Sequence, residues 1–243
     1  MERFPDEFDA LLSRSGLRRL MALDRSASGG RKRKADYFTR VTDIIAPSRA
    51  GAALRLLERT LFPVMTPLSV PIPPDSIWAM REPYTERLSK TSRCRTASLF
   101  NPRSRSHRKA KDVGLLQMLH SASLKRLAEG LSGRALCDER DVQLLCYEHG
   151  DYMGPHNDHH PNVETAKDGF VDLQVSLCNG FVDHQWLVYE RDGFLDEIVR
   201  VSDRSSVTCY RLPFWHYTTP LQARPGRHAQ ARRWILIASF RFA

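Results

Sequence analysis

A change of texture at residue 135 constrains this chain more than any other feature. From there short β-rich runs follow one another: VQLLCY (142–147), VDLQVSLC (171–178), HQWLVYE (184–190), EIVRV (197–201), SVTCYRL (206–212) and RRWILIASF (232–240). Gly, Asp or Asn clusters separate most of them: GDYMG, NG, RDG, SDRSS and RPGR. Runs of this length with such punctuation predict strands joined by turns. Many short strands at this spacing suggest a sandwich or barrel. No internal repeat is present.

Residues 1–134 predict mainly helix. Phe8, Leu11, Leu12, Leu17 and Leu20 recur at helical spacing over 5–23, with an interruption near Gly16. SASGGRKRKA (26–35) reads as an exposed basic loop. Residues 48–62 predict a helix with Ser48 as N-cap, stopping at Pro63, followed by the extended stretch TPLSVPIPP. Residues 91–110 lack an apolar period and predict a loop. Over 113–133, Leu115, Leu116, Leu119, Leu124, Leu127 and Leu131 make one helix face, ended by Gly130 and Gly133. The expected organisation is a helical region with a basic loop (1–134) supporting a β core (135–243).

Composition narrows the class. No apolar run approaches the ~20 residues that span a bilayer, and the charged start MERFPDEFDALL lacks a signal-peptide core, so a cytoplasmic protein is expected. Five cysteines, an odd number without CxxC spacing, argue against a disulfide framework or a zinc knuckle. The formal net charge of +9 invites a nucleic-acid reading. However, eleven Lys/Arg against the single acid Asp112 lie between Arg87 and Arg126, so one segment carries the surplus.

The segment CYEHGDYMGPHNDHHPN (146–162) concentrates histidine and acid. It holds two H-x-D pairs, His149-Gly150-Asp151 and His156-Asn157-Asp158. On a strand, side chains two apart point the same way, so such a pair offers an imidazole and a carboxylate on one face. A distant histidine on a neighbouring strand would complete a 2-His-1-carboxylate triad with open coordination positions. Gly150 signals a turn inside the first pair, which favours the second. His216, in YRLPFWHYTTPL, is a better third candidate than His228 in the loop RPGRHAQ; its plain alternative is a hydrogen-bonded core histidine. The last strand opens on Arg232 and Arg233. A guanidinium matches a carboxylate through two parallel hydrogen bonds and is expensive to bury without an anion. The alternative is an exposed strand edge.

The order of these elements is Tyr147-x-x-Gly150-Asp151, His156-x-Asp158, a strand series, His216 and Arg233. It resembles the Fe(II)- and 2-oxoglutarate-dependent dioxygenase superfamily, in its prolyl-hydroxylase-like branch, over about residues 135–243. The resemblance assigns Tyr147 and Asp151 to the lead sequence and leaves His156 and Asp158 as ligands. It implies an α+β fold: a double-stranded β-helix (jelly-roll, cupin-like) core with N-terminal helices packed against it. It implies Fe(II), 2-oxoglutarate and O₂ as cofactors, with His156, Asp158 and His216 as catalytic iron ligands. Arg233 would bind the distal carboxylate of 2-oxoglutarate, with Arg232 facing the other way, and Tyr147 would line the same pocket. The implied reaction is substrate hydroxylation, or demethylation through it, coupled to decarboxylation of 2-oxoglutarate to succinate. The RPGRHAQ insertion before Arg233 and the lack of a tyrosine in VDLQVSLC depart from the branch pattern.

The substrate stays open: a peptide, an amino acid or a small metabolite. His149, Asn157, His160 and Trp215 are candidate substrate contacts, whereas Trp186 is expected to pack. Two other readings are a zinc site using His156, His159 or His160 with Asp158, and a nucleic-acid-binding protein or nucleic-acid-directed oxygenase using 87–126.

Overall fold

A computed structural model describes residues 2–28, 37–72, 91–158, 167–191 and 194–243. The helices are α1 (Arg14–Ser28), α2 (Pro47–Thr60), α3 (Arg105–Asp112), α4 (Leu115–Leu119) and α5 (Ala122–Ser132). The largest sheet has the order β1-β10-β6-β13-β4-β3-β2. These are β1 (Phe38–Thr42), β2 (Thr66–Pro71), β3 (Thr91–Ser98), β4 (Leu136–Tyr147), β6 (Phe170–Cys178), β10 (Ser205–Leu212) and β13 (Arg233–Phe242). The short β5 (Tyr152–Met153) pairs with β3. A smaller sheet joins β8 (Trp186–Arg191) to β9 (Phe194–Arg200) and β11 (His216–Thr218), and a third pairs β7 (Val182–His184) with β12 (Gln222–Ala223). All pairings are antiparallel. The large sheet is strongly curled, as in a double-stranded β-helix.

Strand alternation explains the layers. On β13, Trp234, Leu236, Ala238 and Phe240 join the core formed with the helices, while Ile235 and Ile237 join a second cluster on the opposite face. On β6, Val171, Leu173, Val175 and Leu177 face the helices. The strand pattern thus has two buried faces: an apolar one under the helices and a mixed one turned into the barrel.

Residues 1–134 are less purely helical than expected, because β1, β2 and β3 extend the large sheet. The loop expected over 91–110 contains β3 and α3. On β3 the buried side chains are small, Ser92 and Cys94 on one face and Ala97 on the other, while Arg93 is exposed and Arg95 is half-buried over the Phe62 ring. A strand can therefore form without an apolar run. Ser104 caps α3 by accepting the His107 N–H. The single helix expected over 113–133 is two. It breaks at His120, and Ser121 caps α5 by accepting the Leu124 N–H. Gly133 ends α5 in the left-handed conformation (φ 68°), as its lack of Cβ permits, but Gly130 lies inside the helix. α2 starts one residue early, with Pro47 at its first turn and Ala46, not Ser48, as N-cap. The N-terminal helix is interrupted at Leu12–Ser13 rather than at Gly16. Gly16 instead permits close packing, since a Cβ there would lie 2.3 Å from the Ile44 carbonyl oxygen.

All five cysteines are free thiols, four of them buried. No described helix is long and apolar enough to cross a membrane. The basic loop at 31–34 and residues 87–90 lie outside the described residues. Within 91–126 several charges are spent internally: Arg93 pairs with Asp151, Arg95 with Glu148, and Lys125 with Asp138. The cations left exposed are chiefly Arg103, Arg105, Arg108, Lys109 and Lys111, on and before α3.

Candidate active site

His156, Asp158 and His216 converge. One ligand atom from each lies within 4.8 Å of the others, the only such His/Cys/Asp/Glu cluster among the described residues. Asp158 Oδ2 is 3.5 Å from His156 Nε2 and 3.8 Å from His216 Nε2. The two histidines are joined as a short antiparallel bridge, His156 N–H to His216 C=O at 3.0 Å and the reverse at 2.9 Å. Each imidazole is oriented from behind: Nδ1 of His156 meets the Gly154 carbonyl at 2.7 Å, and Nδ1 of His216 the Phe214 carbonyl at 2.9 Å. A carbonyl can only accept, so Nδ1 carries the proton and Nε2 presents its lone pair to the site. Burial, then the neighbouring His156, push His216 down to about 4, so it is neutral at physiological pH.

The convergence arises differently from the strand argument. Asp158 lies outside any strand, at φ 53°, in the left-handed region. A turn after the His156 bridge swings the carboxylate back, and the two-residue period of a strand plays no part. The competing pair does not converge. Gly150 is left-handed (φ 83°), His149 stacks on His228 at 4.2 Å, and Asp151 pairs with Arg93 while accepting the Glu148 N–H.

The triad opens into a cavity of about 300 Å³ also lined by Tyr147 and Arg233. Arg233 is 3% exposed. Its Nε donates to Ser176 Oγ and Nη1 to Gln185 Oε1, both at 2.9 Å, and its guanidinium lies 5.8 Å from the Tyr147 ring centre. No described carboxylate is in ion-pair range of it. A buried guanidinium held by neutral partners is costly unless an anion completes it. Arg232 points to the other face of the sheet, over the Phe62 ring at 4.2 Å and 3.6 Å from Glu148. Burial holds the Tyr147 hydroxyl well above the usual tyrosine range, so it stays protonated, hydrogen-bonded to Thr218.

Other candidates fall elsewhere. His149 is occupied by His228 and the Ala223 N–H and does not line the cavity. Asn157 is buried but lies outside the lining. Trp215 is not among the residues that line the cavity, whereas Phe214 packs against the His216 ring, 4.6 Å between centres. Trp186, expected to pack, is 37% exposed. His159 and His160, and with them the local zinc reading, lie outside the described residues.

Sequence reasoning missed the polar residues that share the cavity wall: Asp172 and Gln174 on β6, Gln143 on β4 and Ser239 on β13. The available signal was the alternation in VDLQVSLC. Its polar positions look solvent-facing on a one-sided sheet, but here that face lines the cavity.

No protein-family model matches the chain, and no curated protein does. Solved structures do match. A 2OG-Fe(II) oxygenase family oxidoreductase from Burkholderia pseudomallei aligns at 12% identity and TM-score 0.52, covering 95% of this chain and 92% of that one. A prolyl hydroxylase from Trichoplax adhaerens, in complex with a hypoxia inducible factor peptide fragment, aligns at 12% identity and TM-score 0.50 (94% and 93% covered). A non-heme alpha ketoglutarate dependent carbocyclase from nogalamycin biosynthesis aligns at 12% and 0.50 (99% and 88% covered). At this identity the likeness is one of architecture: the chain has the double-stranded β-helix fold that these oxygenases share.

Proposed function

We propose that the protein is an Fe(II)- and 2-oxoglutarate-dependent oxygenase that hydroxylates a small-molecule or peptide substrate. The observation that carries this reading is the shared cavity: a buried His-Asp-His cluster and a buried arginine without a carboxylate partner face the same space. The donor set fits Fe(II), because two imidazole nitrogens and one carboxylate leave coordination positions open. Arg233 fits the distal carboxylate of 2-oxoglutarate. When bound, the iron and its co-substrate supply the oxidising chemistry, coupled to formation of succinate and CO₂.

The chain's residues then have definite tasks. Gly154 and Phe214 hold the Nδ1 protons of His156 and His216, which keeps each Nε2 aimed into the site. Asp158 gives the anionic ligand. Ser176 and Gln185 hold the guanidinium of Arg233 in one orientation, so a bound diacid enters in one direction. Leu187, Ile235 and Ile237 keep part of the wall apolar and restrict water.

The test is anaerobic addition of Fe(II) and 2-oxoglutarate, followed by visible absorption. A charge-transfer band of the chelate is expected in the intact protein and not in a His156→Ala/Asp158→Ala double variant. No band in the intact protein, or an equal band in the variant, overturns the reading.

A further inference from the structure

The cavity has two chemically opposite ends. β13 turns Arg233, Ile235, Ile237 and Ser239 toward it in succession. At about 3.3 Å per residue, Ser239 lies roughly 20 Å along the strand from Arg233. Its sheet partner is Asp172 on β6, which in turn sits opposite Tyr210 on β10. Gln143 and Gln174 flank the same end, each opposite Ile237. The wall thus runs from a buried guanidinium, across two isoleucines, to a carboxyl and two amides.

A five-carbon diacid extends only about 7 Å between its ends, from ordinary bond lengths. That is well short of the strand length between Arg233 and Ser239, so the Asp172 end is left for a second ligand.

Asp172 is 9% exposed, and its Oδ1 has no hydrogen-bond partner among the described residues. Ser239 hydrogen-bonds the carboxyl group. No described Lys or Arg pairs with it. The charged groups felt there are Asp158 and Asp141, both acidic. The side chains of Gln143 and Gln174 line the cavity and make no hydrogen bond to described residues, so their amide oxygens are available. A buried acceptor without a donor is costly, and such a group in a cavity marks where a ligand's donor belongs.

We infer that the Asp172 end is the substrate subsite and takes the protonated primary amine of an aliphatic amine or lysine-type side chain. An ammonium brings three donors. The free carboxyl oxygen and the two amide oxygens are three acceptors, and Ile235 and Ile237 suit the aliphatic stem behind the charge. A guanidinium fits less well, because its fork wants both carboxyl oxygens and Ser239 engages the group. Calling this ligand the substrate rests on the oxygenase reading; the cation preference of the subsite does not.

The test uses the full chain near pH 8. n-Butylammonium, n-butylguanidinium and neutral butyramide are titrated by calorimetry into metal-free protein, and into protein holding Fe(II) and 2-oxoglutarate under argon. The ammonium is expected to bind roughly tenfold or more tightly than butyramide, as a charge-assisted hydrogen bond provides. That preference should shrink to within about twofold in Asp172→Asn, whose folding is checked by circular dichroism. Equal binding of ammonium and butyramide by wild type, no binding of ammonium at millimolar concentration, or a preference that survives Asp172→Asn overturns the inference. Tighter guanidinium binding overturns the choice of an amine. Failure of the chelate band sinks the oxygenase reading alone, because the metal-free titration still measures the preference. If the variant does not fold, the wild-type comparison decides.

Discussion

Replacing Asp172 with asparagine removes a buried acid while nearly preserving the side chain's shape, so its effect on stability can be worked from the surroundings. Burial raises the Asp172 carboxyl from 3.8 to about 7. Between those values the unfolded chain has lost a proton that the folded chain keeps. Stability therefore falls as pH rises through this window and levels off above about pH 7. At 1.36 kcal/mol per unit, the decline between about pH 5 and pH 8 is about 3 kcal/mol, within a total of about 4 kcal/mol. Asparagine does not titrate. It carries its own cost from an imperfectly paired amide, but that cost is independent of pH and cancels when two pH values are compared. Other groups titrate alike in both proteins and cancel too. The assay is urea unfolding of metal-free wild type and Asp172→Asn near pH 5 and near pH 8. The stability of the variant relative to wild type should rise by about 3 kcal/mol over that interval. A difference unchanged between the two pH values would refute the reasoning, since it would mean that Asp172 ionises freely in the folded protein.

Three further outcomes are expected. Arg233→Lys keeps a charge but loses the planar fork, so 2-oxoglutarate affinity should drop at least about tenfold by calorimetry, while Arg232→Ala changes it little. His216 is held at about 4 by burial, below its ordinary 6.5, so metal-free protein should lose stability as pH falls through that window. Acid-induced unfolding followed by circular dichroism should be less steep in His216→Gln. Gly16→Ala places a Cβ 2.3 Å from the Ile44 carbonyl and should destabilise by about 1–3 kcal/mol in thermal melts.

Much of the site was legible because it depends on residue types in order. His156, Asp158, His216 and Arg233 stand out as chemistry-bearing residues at turns or strand starts, and Gly150 betrayed the false pair. Strand positions after residue 135 were legible because β-branched runs and turn residues act locally. What the sequence could not decide is where faces point. Asp158 reaches the histidines through a left-handed turn, not through strand periodicity. Trp215, a candidate substrate contact by sequence, does not line the cavity, and its neighbour Phe214 packs on His216. β3 forms on small buried residues that carry little hydrophobic signal, and His120–Ser121 breaks a leucine face that looks continuous.

The sequence by itself determined a β-rich second half, a helix-bearing first half and a cluster of histidine, acid and arginine. Those follow from local backbone preferences and from side-chain chemistry, which are properties of the chain wherever it goes. Only the tertiary structure decided that the polar face of β6 is buried in a cavity. Alternation gives a strand two faces, but which face meets solvent is set by what closes over it. Here the helices cover the apolar face and the curled sheet closes over the polar one, with Arg233 at one end and Asp172 at the other.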